Sequence, residues 1–245
     1  MKKKSETGHV KNVAKFESLI SFVSAYGATY NPVNTALQIT KLKALLGSAR
    51  NSLSSVKTTV IAYNNATNDR MNLFKPLKSL GTKLINALDA ANADKETVKD
   101  ARTILRKLQG QRAKQKPVAV VPPGETPAVK TISSSQQSFD QQIESFAKLI
   151  ELLSSVSNYA PNETDLKVTT LTDTLKSLQT TNTMVINKYT TLSNSRNSRN
   201  EILYNPITGL VTIAMGAKKY VKSIYGSTSV QFKQLSTLGF RKLVF

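Results

Sequence analysis

Histidine is the side chain that exchanges protons near neutral pH and the commonest metal ligand, and this chain of 245 residues holds one, His9. A metal centre in a helical bundle needs paired Glu-x-x-His ligands on facing helices, which one histidine does not supply. His9 is therefore expected to be an ordinary exposed residue of a basic N-terminal stretch. The chain has no cysteine, so disulfides, thiolate ligands and thiol nucleophiles are out of reach. Serines are plentiful, but a serine nucleophile works only with a base held beside it, and His9 would have to reach it from the tail. The acidic residues are scattered, and Asn162-Glu163-Thr164-Asp165 reads as negative charge at the start of a helix, facing the positive end of the dipole. Neither GxxxxGKS/T nor GxGxxG occurs to cradle a phosphate. The inventory predicts no enzyme, no cofactor, no metal and no small-molecule substrate.

What the chain has in excess is positive charge: 34 Lys and Arg against 15 Asp and Glu, a net +19. Such an excess draws polyanions and anionic surfaces. It is uneven, since residues 1–112 hold 19 basic and 7 acidic residues, a net +12, whereas residues 137–245 hold 12 and 7, a net +5. Lys95, Lys99, Arg102 and Arg106 step by 4, 3 and 4, the spacing that stacks side chains along one helix face, while Val98, Ala101, Leu105 and Leu108 take another. Lys107, Arg112, Lys114 and Lys116 extend the positive region. Such a stripe tracks phosphates; the alternative is a solvated face partly paired with Asp94, Glu96 and Asp100. Farther on, Lys218, Lys219 and Lys222 lie beside Tyr220 and Tyr225, rings that either stack on bases or belong to the core. The expected nucleic-acid-binding set is thus Lys95, Lys99, Arg102, Arg106, Arg112, Lys218, Lys219 and Lys222. A second set, Arg70, Arg196 and Arg199, falls near the ends of two long helices, where guanidinium groups satisfy the last carbonyls and complement the negative pole. A binding role at that tip, among Asn64, Asn65, Asn68, Asn194 and Asn197, is the other reading.

The elements that must position these residues are helical and are written twice. Val13, Phe16, Leu19, Ile20, Phe22 and Val23 match Ile143, Phe146, Leu149, Ile150, Leu152 and Leu153 at an offset of 130. Tyr30, Pro32, Leu37, Ile39, Leu42, Leu46, Val56 and Arg70 match Tyr159, Pro161, Leu166, Val168, Leu171, Leu175, Val185 and Arg199 at 129. Pro76, Leu80, Thr82 and Ala87 match Pro206, Leu210, Thr212 and Ala217 at 130 again, and Gly110-Gln111-Arg112 answers Gly239-Phe240-Arg241. Offsets that change only where loops are expected mark an internal repeat.

Within each copy the apolar spacing is that of helices. Val13, Phe16, Ile20 and Val23 predict a first helix over about residues 9–26. Proline at a first turn, after a capping asparagine, predicts that Asn31-Pro32 opens a longer one. Along it Leu42, Leu46, Ala49, Leu53, Val56, Val60 and Tyr63 alternate steps of 4 and 3, as do Leu171, Leu175, Leu178, Asn182, Val185, Tyr189 and Leu192. These are heptad seams, which pack lengthwise at shallow angles. Pro76 and Pro206 end the rods and open third helices. Asp94 and Ser227 are the predicted caps of fourth helices closing at Gly110 and Gly239. Residues 113–136 hold half of the prolines and are read as a semi-rigid linker or surface excursion.

The stretches TGHVKNVAKFESLISF, YGATYNP, AYNNATNDR, ALDAANADKETVKDARTILRKLQG, NYAPNETDL, RNEILYNPITGL and KSIYGSTSVQFKQ together resemble a family of uncharacterised bacterial two-repeat helical proteins. The resemblance implies the layout and no activity. Residues 1–4 with the apolar stretch 19–28 loosely imitate a secretory signal, but Glu6, His9, Lys11, Lys15 and Glu17 interrupt it. Residues 206–217 are too few to cross a bilayer core, which takes about 20. The expectation is an all-α fold, a tandem duplication of a unit of about four helices, with domains 1–112 and 137–245 joined by linker 113–136 and long helices forming a pseudo-twofold bundle. The expected function is that of a non-catalytic cytoplasmic binding or architectural protein engaging nucleic acid or another polyanion. A self-assembling or protein-docking scaffold is the rival reading, and membrane association a third.

Overall fold

The structure, a computed structural model, describes residues 7–111 and 137–241. Among them the chain is all-helical: eight α-helices and three short 3-10 turns, with no strand. The helices are α1 Thr7–Ala25, α2 Ile39–Phe74, α3 Leu77–Ala90, α4 Lys95–Gln109, α5 Phe139–Ser155, α6 Val168–Tyr204, α7 Leu210–Tyr225 and α8 Val230–Ser236. The proline-rich segment 113–136 and Arg112 lie outside the described residues. No described helix is long and apolar enough to cross a membrane.

The long helices begin later than their prolines suggest. Asn34 Oδ1 accepts from Ala36 N at 3.0 Å and closes a 3-10 turn at Thr35–Leu37; Gln38 is then extended (φ −65°, ψ 144°), so α2 starts only at Ile39. The same happens at Thr164–Leu166, where Lys167 is extended (φ −65°, ψ 137°) and α6 starts at Val168. The acidic Asn162-Glu163-Thr164-Asp165 run therefore decorates this turn rather than the first turn of α6. A tyrosine pins each turn: Tyr30 Oη donates to Leu37 O and Tyr159 Oη to Leu166 O, both at 2.9 Å. At 36 residues α2 is about 54 Å long at 1.5 Å per residue.

Two compact units divide the chain. The first comprises Met1–Tyr63 with Lys188–Phe245. There Leu42, Leu46 and Ala49 of α2 share a core with Leu203 and Tyr204 of α6, and Tyr63 meets Tyr189 at 5.7 Å, so the two segments run antiparallel within the unit. Phe16, Leu19 and Val23 of α1, Ala214, Ala217 and Val221 of α7, and Leu235 of α8 complete the core. The second unit is Asn64–Asn187. It buries Leu84 and Leu88 of α3, Ala101 and Leu108 of α4, Phe146, Leu149 and Leu153 of α5, and Leu171 and Leu178 of α6. Each such buried leucine contributes about 1.5–3 kcal/mol. Each unit draws helices from both sides of segment 113–136.

Helix ends depart from expectation where a side chain finds a nearer amide. Asp94 caps α4 as its sequence predicts, accepting from Glu96 N and Thr97 N, and Gly110 closes it in the left-handed conformation (φ 73°). In contrast, Asn205 Oδ1 accepts from Ile207 N (2.8 Å) and Thr208 N (2.9 Å), holding Pro206 in a turn, so α7 opens at Leu210. Ser229 rather than Ser227 caps α8, which ends at Ser236, before Gly239.

Burial, with Tyr220 nearby, raises the Tyr30 phenol to about 12. Burial, aided by Asp165 and Glu163, raises Tyr159 to about 12. Each phenol holds its proton more tightly folded than unfolded, so the stability it lends is complete below its ordinary value of about 10 and drains as pH climbs toward the folded value. Tyr30→Phe and Tyr159→Phe should each cost about 1 kcal/mol in urea unfolding. Each should also remove one late-ionising phenol from an alkaline absorbance titration of the native protein. Because each core needs both sides of segment 113–136, fragments 1–112 and 137–245 should each lack a cooperative thermal transition alone and recover one when mixed.

Candidate nucleic-acid interface

α4 owes its two faces to the 3.6-residue period. Val98, Ala101 and Leu108 are buried against α3 and α5, and Leu105 packs against the same core. Gly81 of α3 makes this approach possible, since a Cβ there would stand 2.6 Å from Leu105 Cδ1. Lys78 Nζ donates to Gln109 O at 3.1 Å, and Gln109 Nε2 donates to Thr82 Oγ1 at 3.1 Å, tying the two helices at their ends.

The opposite face carries Lys95, Lys99, Arg102 and Arg106, all exposed, as is Lys107. The four border one shallow, open depression of about 760 Å³, with Asp89, Glu96, Gln109 and Gln111 also in its wall. Two carboxylates reach the stripe. Glu96 pairs with Lys99 at 2.9 Å and Asp89 with Arg102 at 3.0 Å. All four partners are more than half exposed, and such pairs are worth about 0–1 kcal/mol each and yield readily to a competing anion. Arg106 donates to Thr103 Oγ1 at 2.8 Å. The depression's wall thus holds four cations against two anions.

The α7 lysines do not form a comparable surface. Lys218 Nζ donates to Leu238 O at 2.8 Å and lies 5.6 Å from the Phe240 ring, so it secures the segment after α8. Burial, and then the nearby Lys15 charge, hold its ammonium below the usual lysine range. Lys222 lies 5.6 Å from the Phe232 ring, and Lys219 is exposed. The two tyrosines are engaged within the unit. Tyr220 packs edge-on to Tyr30 at 5.3 Å and its hydroxyl accepts from Asn31 N, while Tyr225 packs edge-on to Tyr26 at 5.5 Å.

The tip arginines are distributed between the units. In the second, Arg70 stacks 3.9 Å over Phe139 and donates Nη1 to Asn182 Oδ1 at 2.9 Å; Asn182 Nδ2 in turn donates to Asp140 Oδ1 at 2.7 Å. Arg70 thus bonds across to α6 instead of back to the carbonyls of its own helix. In the first, Arg199 is buried (3 % exposed) and donates Nε and Nη2 to Asn200 Oδ1. Arg196 lies three residues earlier on α6, half-buried.

A polar cluster that the sequence reading missed lies beside α1. His9 is 3 % exposed, not on a tail, and its Nδ1 is 2.8 Å from Tyr204 Oη. Asn12, 1 % exposed, pairs with the backbone of Arg241 in both directions, Nδ2 to O at 2.8 Å and Oδ1 from N at 3.1 Å. Lys15 Nζ donates to Gly239 O. The signal for His9 is present in the spacing: it lies four residues before Val13 and so continues the steps of 3 and 4 that join Val13, Phe16, Ile20 and Val23. Among the described residues no group of three His, Cys, Asp or Glu is placed to hold a metal ion.

No family model, curated protein or solved structure matches the chain, so function rests on these surfaces alone. Lys218→Ala should cost about 1 kcal/mol of stability while Lys219→Ala stays within about 0.5. His9→Ala, which strips a buried ring and leaves the Tyr204 hydroxyl without it, should cost about 2 kcal/mol or more in the same urea titrations.

Proposed function

We propose that the chain is a non-catalytic, basic helical binding protein that engages nucleic acid or another polyanion through the exposed face of α4. The observation that carries this reading is the convergence of Lys95, Lys99, Arg102 and Arg106 on one open depression whose ion pairs are solvent-exposed and weak. The net +19 adds long-range attraction for the same class of partner. Lys218 is occupied within its own unit, which leaves Lys219 and Lys222 as the exposed cations of that cluster, against four on α4, so α4 is taken as the principal surface. A reducing compartment, the cytoplasm, suits a chain without cysteine.

We further propose that the two sides of segment 113–136 are copies of one unit, arranged as a pseudo-twofold pair, and that the chain belongs with the two-repeat bacterial proteins it resembles. Matched interactions support this. The Tyr30–Leu37 and Tyr159–Leu166 bonds recur at an offset of 129. The ring pairs His9–Tyr204 and Phe139–Phe74 occupy positions 130 apart, at 5.6 and 4.8 Å. An experimental structure whose halves do not superpose removes this proposal.

A second reading, a self-assembling or protein-docking scaffold, draws on the apolar side chains left exposed on the long helices: Ile61 and Met71 on α2, and Met184, Ile186 and Tyr189 on α6. Light scattering separates the two, because association without added polyanion favours the scaffold.

Gel retardation tests the leading reading. The protein should retard nucleic acid at about 50 mM salt and release most of it by about 200 mM. Replacing Lys95, Lys99, Arg102 and Arg106 together by alanine should weaken binding at least about tenfold at the lower salt. Absence of retardation by the parent protein at low salt would overturn the proposal.

A further inference from the structure

We propose that the α4 face recognises the phosphate backbone of a duplex, without regard to base identity and in preference to a single strand; this rests on the polyanion reading above and narrows it. Proteins that hold single strands interleave cations with exposed aromatic rings on which bases stack. α4 contains no aromatic residue, and among the described residues no ring lines the depression beside it. The rings nearest the other basic cluster face inward, Tyr220 and Tyr225 against Tyr30 and Tyr26, with Lys222 set against Phe232. A single strand laid on α4 would therefore find charge and no stacking platform.

Base-edge reading is likewise poorly served. It requires forked donors such as arginine, or amides, aimed into a groove. Lys95 and Lys99 are point charges, and Arg102 and Arg106 must each give up a present contact, to Asp89 and Thr103, before either can fork onto a base edge. What is left is a row of cations about 16.5 Å long, the eleven steps from Lys95 to Arg106 at 1.5 Å each. A row of charges binds best where anions are densest, and duplex DNA carries one charge per about 1.7 Å against about 3.4 Å for each strand. Each neutralised phosphate also releases more counterion from a duplex, about 0.9 against about 0.7.

Glu96 and Asp89 act as built-in competitors, because a phosphate that takes Lys99 or Arg102 must displace a carboxylate 2.9 or 3.0 Å away. The face should consequently bind more tightly once Glu96 is neutralised, the opposite of what losing a structural pair would do to an ordered site.

The test is fluorescence anisotropy with the full chain, two unrelated labelled duplexes of about 20 base pairs, and one strand of the same length, titrated across salt. The two duplexes should agree within about twofold and the single strand should bind at least about fivefold more weakly at equal salt. The plot of log affinity against log salt should have a slope near −3.6 for the duplex, four contacts at about 0.9 each, and Lys95→Ala should reduce its magnitude by about 1. Glu96→Gln should tighten duplex binding by roughly two- to fivefold. Circular dichroism confirms that these surface variants stay folded. A single strand bound as tightly as the duplex, a tenfold difference between the duplexes, or a slope unmoved by Lys95→Ala would overturn the inference while leaving polyanion binding in place. No binding of any probe at low salt would instead remove the polyanion reading itself.

Discussion

The apolar edges of α2 and α6 have to be hidden along their length, and every other described helix is too short to do it. α2 and α6 have 36 and 37 residues, whereas α1, α5, α7 and α3 have 19, 17, 16 and 14. One short helix covers at most about half of a long one at the same rise per residue. Each long helix accordingly contributes residues to two cores. The division of the chain at Tyr63/Asn64, about two-thirds along α2, and at Asn187/Lys188, near the middle of α6, accords with that mismatch. It also fits the finding that each core takes residues from both sides of segment 113–136: Leu42 and Ala49 are buried with Leu203, and Leu171 and Leu178 with Leu84 and Leu108.

Leucine burial is non-directional and fixes no register by itself; polar groups in the apolar surroundings do that. In the second unit Asn182 occupies a seam position where its neighbours are Leu178 and Val185, and it is satisfied by Arg70 on one side and Asp140 on the other. Sliding α6 against α2 by one turn, about 5.4 Å, breaks both bonds and leaves buried polar groups unpaired, a cost of about 1–3 kcal/mol for each. In the first unit Asn12 plays a comparable part, since its amide is matched to the backbone N–H and C=O of one residue, Arg241, and also reaches the Tyr204 hydroxyl. Lys15 and Lys218 then hold carbonyls of the same segment. Buried polar residues at single positions specify alignment in helical assemblies, and these two occupy that role in their respective cores.

Most of the helices were legible because apolar phase is a property of local sequence. Of the seam residues, Leu42, Ala49, Val56, Leu171, Leu178, Val185 and Leu192 are buried, as their spacing requires, whereas Leu53, Val60, Tyr63 and Leu175 are half-buried and Tyr189, against expectation, is exposed. The starts of the rods were not legible from proline alone, because Asn34 finds the Ala36 amide and builds a separate turn first. His9 differs from expectation for another reason: its position in phase with Val13 and Phe16 decides its burial, and nearness to a basic N-terminus does not. The α4 stripe could be read directly because both its cations and its anchoring leucines lie within fifteen residues. The fate of Lys218 could not, since it depends on where Leu238 returns after α8. Local spacing identifies a face, and only tertiary structure shows whether that face is already in use.

That distinction bears on why α4 keeps its charge. Lys95 and Lys99, and Arg102 and Arg106, are like charges four residues apart, an arrangement that lowers helix stability by about 0.2–0.5 kcal/mol per pair. Lys99 and Arg102 add a third like pair at three residues. Asp94 at the cap and Glu96 in the first turn favour the dipole, and Arg106 and Lys107 favour it at the other end; Lys99 and Arg102, in the middle, gain nothing from it. A helix selected for stability alone would alternate signs at these positions, as the Lys148–Glu144 pair does on α5. The middle cations are instead set against carboxylates only at exposed contacts that water and salt readily loosen. Under the proposed role the mutual repulsion is relieved when an anion lies along the face, so part of the stability withheld from the free protein returns as affinity in the complex.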